Sequence, residues 1–133
     1  MRQFNIERRL KMGYESQIYI VEKSTIGKDI NGKRMWFGDV VAAFRLSKTP
    51  IYQEIHDRFS PTDTYFYADD GNTEIIEDRY GKPLTEIPIP DLLDILERAE
   101  SKGHYRRYTP LIRMLQGFDL TQWKDLVALH YGY

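Results

Sequence analysis

The sequence predicts an α+β fold, with a small antiparallel sheet of two hairpins packed against several short helices. Three observations lead there. Two turn dipeptides, Asn31-Gly32 and Asp70-Gly71, sit beside runs rich in β-branched and aromatic residues. Apolar residues recur at helical spacing in the last third of the chain. The chain has 133 residues, within the usual size of one domain.

Residues 1–11 are basic and polar and are taken as an N-terminal appendage, with 12–133 as the single domain. No apolar h-region follows them, unlike a secretory signal. Residues 17–22, QIYIVE, predict the first strand. Asn31-Gly32 predicts a type I′ turn, whose two central residues need positive φ, and 33–37 the return strand. Asp39 is a plausible N-cap, and Val40, Val41 and Phe44 at helical spacing predict a helix over 40–47. A second short helix is expected over 51–59, between Pro50 and Pro61.

Residues 64–68, TYFYA, predict a strand, and Asp70-Gly71 a second type I′ turn, with 72–78 pairing back. This register sets Phe66 opposite Ile75 and Ala68 opposite Thr73. Pro88 and Pro90 argue against 86–90 continuing a central strand, because proline lacks the donor. Pro90 and Asp91 suit a helix start, with Leu92, Leu93, Ile95, Leu96 and Ala99 as its buried stripe and Gly103 beyond its end. Thr109-Pro110 opens a helix that ends before Gly117. Asp119 with Gln122 resembles a capping box for a helix over 120–130 that buries Trp123, Leu126, Val127 and His130.

Charge is distributed unevenly. Residues 49–100 carry four basic and thirteen acidic side chains, while both flanking segments are net basic. An acidic middle either folds against the basic ends or faces a basic partner. The carboxylates Asp69, Asp70, Glu74, Glu77 and Asp78 form the candidate partner-binding acidic face. Their spacing does not fit a calcium loop, and a metal-dependent enzyme on them is the third-ranked reading. Lys102, Tyr105, Arg106, Arg107, Tyr108 and Arg113 interleave basic and aromatic residues, as a grip on a partner or on single-stranded nucleic acid requires.

His56, His104 and His130 have no ligand spacing and are expected at the surface or an interface, so no metal or cofactor is expected. Ser24 to Asp29 contains Gly27-Lys28 but fails as a phosphate loop, and no Gly-x-Ser-x-Gly occurs. The chain has no cysteine, which excludes disulfides and thiolate chemistry and fits a reducing cytosol. No apolar run reaches the roughly 18 residues of a membrane span, so a cytoplasmic protein is expected.

Three segments, MGYESQIYIVEKS (12–24), TYFYADDGNTEIIEDRYGKPLTEI (64–87) and DLTQWKDLVALHYGY (119–133), resemble small proteins encoded by phages and prophages. The resemblance carries no site residues. It implies a non-enzymatic accessory factor that binds and modulates a host or defence protein, such as a CRISPR effector. A nucleic-acid-binding module is the second expectation. The partner's identity and the oligomeric state do not follow from the sequence.

Overall fold

The structure is a computed structural model that describes residues 16–46, 57–101, 108–119, 121 and 125–132. Its first two strands, β1 (Ser16–Ile30) and β2 (Lys33–Leu46), form one long hairpin. Asn31 and Gly32 have φ of 53° and 79°, the conformation expected of the turn, and Ile30 pairs with Lys33 across it. The pairing then continues to Ser16↔Leu46, with irregularities between Gly27 and Lys23 and between Val21 and Ile20.

The helix expected over 40–47 is therefore a strand as far as residue 46. Ile20 faces Ala42 but Val21 faces Val40, so Val41 is the extra residue of a β-bulge. One inserted residue breaks the two-residue alternation, and the apolar spacing then imitates a helix. Asp57 and Arg58 are helical, Phe59 is buried, and the rest of the helix expected over 51–59 lies outside the described residues.

Five shorter strands complete the sheet: β3 (Ser60–Pro61), β4 (Thr64–Tyr67), β5 (Glu74–Ile75), β6 (Thr85–Pro88) and β7 (Leu126–Gly132). Their order is β3-β6-β7-β1-β2-β4-β5. All neighbours are antiparallel except β2 and β4, which run parallel through Trp36↔Thr64 and Phe37↔Tyr65. The α+β class holds, but the sheet is large and mixed rather than small and antiparallel. Beside the helical residues 57–58, two helices accompany it among the described residues, α1 (Ile89–Ser101) and α2 (Tyr108–Gln116).

The segment expected as a helix over 120–130 supplies β7, which pairs with β1 from Ser16↔Gly132 to Glu22↔Leu126. Leu126, Ala128, Leu129 and His130 are all buried, and a run buried on both faces carries no period that separates strand from helix. Asp119 accepts from the amide and hydroxyl of Thr121 at 3.0 and 2.6 Å in a local turn; Gln122, the other half of the expected capping box, and Trp123 lie outside the described residues. Residues 85–88 also form an interior strand despite Pro88. Pro88 is its last residue, beyond the two positions that β3 covers, so its missing donor interrupts little.

The sheet has two apolar faces. On one, Ile18, Ile20, Ile87 and Ala128 meet Leu92, Ile95, Leu96 and Ala99 of α1 and Tyr108, Ile112 and Leu115 of α2. The α1 stripe is as expected, with Leu93 partly buried at its margin. Gly117 ends α2, its amide donating to the carbonyls of Arg113 and Met114. The opposite face buries Val21, Leu84 and Leu129 under Phe66, with Tyr19, Val127 and Tyr131 half-covered.

Candidate binding site

The second face opens where β4 leaves β2. Alternation on β1 sends Tyr19 and Val21 to this face and Ile18 and Ile20 to the helices. β4 stays beside β2 for two residue pairs, and then Phe66 stacks over Tyr19 with ring centroids 4.5 Å apart. The diverging strands leave a wedge-shaped cavity of about 320 Å³. Gln17, Tyr19 and Tyr131 form its floor, and Val40 and Ala43 of β2 form one wall. Phe66, Tyr67 and Asp69 form the other wall, and Arg79 also lines it.

The floor is held in place by its own contacts. Tyr19 and Tyr131 meet edge to face, with centroids at 6.2 Å and planes at 85°. The Tyr19 hydroxyl donates to Gln17 Oε1 at 2.7 Å. Burial, then Tyr131, then the Asp69 carboxylate push the Tyr19 pKa above its ordinary value. The phenol is thus a neutral hydrogen-bonding group at physiological pH, with an aromatic face beside it. Such a site takes apolar groups and the stems of long cationic side chains. The fold already uses that chemistry nearby. Lys28 Nζ lies 5.3 Å from the centre of the Tyr65 ring and 6.0 Å from that of Tyr67, and it pairs with Glu74.

The five candidate carboxylates do different things. Asp69 is exposed and lines the cavity. Asp70 is exposed but occupied: its carboxylate accepts from the amides of Asn72 and Thr73 at 2.8 and 2.9 Å and from the Thr73 hydroxyl at 2.6 Å. Those bonds, the hydroxyl first, hold its pKa down at about 2. Glu74 is half-buried against Lys28, and Glu77 is exposed.

Asp78 does not belong to an acidic face. It is buried and accepts from the amides of Tyr80 and Lys82 at 2.8 and 3.0 Å, closing the loop that follows β5. Among the described residues no three histidine or acidic side chains are grouped to hold a metal ion.

The hairpin carrying these groups has the expected register, with Phe66↔Ile75 paired and the Ala68 amide donating to the Thr73 carbonyl at 2.9 Å. Its turn differs from expectation. Gly71 has φ of 74° but Asp70 does not share the positive sign, and the Gly71 amide donates to the Ala68 carbonyl at 2.9 Å. Asp69 and Asp70 are thus the central pair of that turn, and the side-chain bonds of Asp70 replace the type I′ geometry.

Of the basic and aromatic set, Lys102, Tyr105, Arg106 and Arg107 lie outside the described residues. Arg113 is exposed on α2. Tyr108 is 2% exposed and belongs to the helix-side core, so its ring is not a platform for a base or a partner. His130 is buried, as its place in the stripe expected over 120–130 implied and not at the surface, its Nε2 3.0 Å from Ser16 Oγ and its ring against Phe59. His56 and His104 lie outside the described residues.

Sequence reasoning missed the wedge. Its residues come from positions 17–19, 40–43, 66–69, 75–79 and 131, which share no motif. The one available signal was the surplus of tyrosine, ten in this chain. No protein-family model, curated protein or solved structure matches the chain. Among the described residues no helix is long and apolar enough to cross a membrane.

Proposed function

We propose that this chain is a cytoplasmic, non-enzymatic binding protein that grips a protein partner in the wedge between β2 and β4. The resemblance to small phage proteins suggests a host or defence protein as its target. The observation that supports the reading best is the aromatic cavity itself, floored by Tyr19 and Tyr131 and walled by Phe66 and Tyr67. Aromatic side chains supply large contact area with little rotamer freedom to lose, which is why they anchor interfaces. Asp69 in the wall, with exposed Asp70 and Glu77 on the same hairpin and the loop after it, favours a basic side chain there. A cation set against the rings and within reach of a carboxylate gains from both.

The test is affinity capture from host-cell lysate after nuclease treatment, with the natural chain beside Ala43→Arg. Ala43 is exposed and lines the cavity, so arginine there obstructs the wedge without entering the core. One protein held by the natural chain at high salt and lost by Ala43→Arg, with unchanged thermal melting, is the expected result. Equal retention by both sinks the wedge as the site.

A further inference from the structure

The outer edge of β2 carries a second set of binding groups. β1 pairs with β2 from Ile30↔Lys33 to Ser16↔Leu46 apart from two irregularities, whereas β4 pairs only with Trp36 and Phe37. From Asp39 onward no strand among the described residues pairs with the outer side of β2. A strand edge is a row of backbone donors and acceptors, and proteins guard such edges with lysine, proline, bulges or short length. β2 is 14 residues long and has no lysine or proline from Gly38 to Arg45. Asp39, Val40, Val41, Ala43 and Arg45 are exposed. The bulge at Val41 is a guard, and it confines regular pairing to 42–45, beside the cavity.

We propose that an extended segment of the protein partner pairs with this edge as an added strand. It directs arginine or lysine side chains into the cavity and apolar side chains to the other face. This rests on the binding reading above. Ala43 faces Tyr19 in register and so shares the cavity face, whereas Ala42 and Phe44 face Ile20 and Ile18 on the helix side. A strand laid on the edge alternates between these two environments. Its cavity-side residues meet aromatic rings and Asp69, which fits a long basic side chain. Arg79 lines the same cavity, so the cation is directed to the Asp69 wall. Its other residues meet half-buried Ala42 and Phe44, which fits valine or a similar apolar side chain. Main-chain pairing supplies affinity in this mode, and the alternate pockets supply selectivity.

The experiment is a fluorescence-anisotropy titration with a labelled seven-residue peptide alternating valine and arginine. Two further versions are N-methylated, one on the valines and one on the arginines. In a strand, alternate amides point to opposite edges, so only one version blocks pairing with β2. That version is expected to weaken binding by on the order of tenfold or more, and the other to stay within about threefold of the unmodified peptide. Ala43→Arg is expected to lose the unmodified peptide. If both methylated versions bind like the parent while Ala43→Arg still abolishes binding, strand pairing is wrong and the cavity reading stands. Equal binding to both proteins means bare charge attraction and overturns the proposal. A peptide that binds neither protein also overturns it, and the lysate capture separately decides whether the wedge binds anything.

Discussion

Asp70 shows how a single side chain can hold a reversal of the chain. It sits fully in solvent, yet three donors from Asn72 and Thr73 converge on its carboxylate. A charged acceptor of several hydrogen bonds is harder to protonate, and the group titrates at about 2 instead of 3.8. The sign follows from linkage. A lowered folded-state pKa contributes stability that is complete above 3.8 and is lost as pH falls from there through about 2. A carbon-detected NMR titration should place the Asp70 carboxyl near 2. Thr73→Ala, which removes the strongest donor, should raise that midpoint. An unshifted midpoint in the variant would show that the hydroxyl bond does not form in solution. At this scale the sequence was informative but incomplete: Asp-Gly announced a turn, and the turn formed. Its type depended on where the carboxylate found its donors, and that takes several residues acting together.

Among the elements, the parting of β2 and β4 decides the site. The two strands approach closely at Gly38. A methyl group there would lie 2.7 Å from Thr64 Cγ2 and 3.1 Å from Val21 Cγ2. Thr64 and Val21 are both fully buried, so neither has room to give. Gly38→Ala is expected to destabilise the fold by about 1–3 kcal/mol, the cost of overpacking a tight contact. Urea unfolding should show a lower midpoint with an unchanged slope. A neutral substitution would mean that β4 is not held against β2 as described. The same strands show why element type was harder to read than turn position. Residues 33–37 were legible as a strand because they follow Asn31-Gly32 directly. Residues 40–46 were not, because one bulge at Val41 shifts the alternation by a residue and mimics a helical stripe.

At the scale of the whole molecule, the described residues form one sheet with a thick core on one face and a thin, partly open one on the other. On the helix side Leu96 and Ile95 are fully buried among residues from β1, β6, β7 and α2. Leu96→Ala is expected to cost about 2–5 kcal/mol, from lost transfer energy and a residual cavity. A loss below about 1 kcal/mol in the same urea assay would be inconsistent with that core. The open face behaves differently: its cluster is small, its tyrosines are half-covered, and the wedge lies within it. Among the described residues the site has a well-packed floor and an incomplete roof, and packing of the floor is what holds its shape.

By itself the sequence determined those features whose energetics are local: the Asn31-Gly32 turn with its positive φ, the Phe66↔Ile75 register, and the buried stripe of α1. Each is decided by residues a few positions apart, through backbone sterics or a repeating apolar spacing. Tertiary structure alone decided that β7 is a strand, that Tyr108 is interior, and that five distant stretches meet in the wedge. Ser16 and His130, in contact across 114 positions, illustrate the reason. A strand in the middle of a sheet makes its hydrogen bonds to other strands, so its identity depends on neighbours that its own residues do not specify.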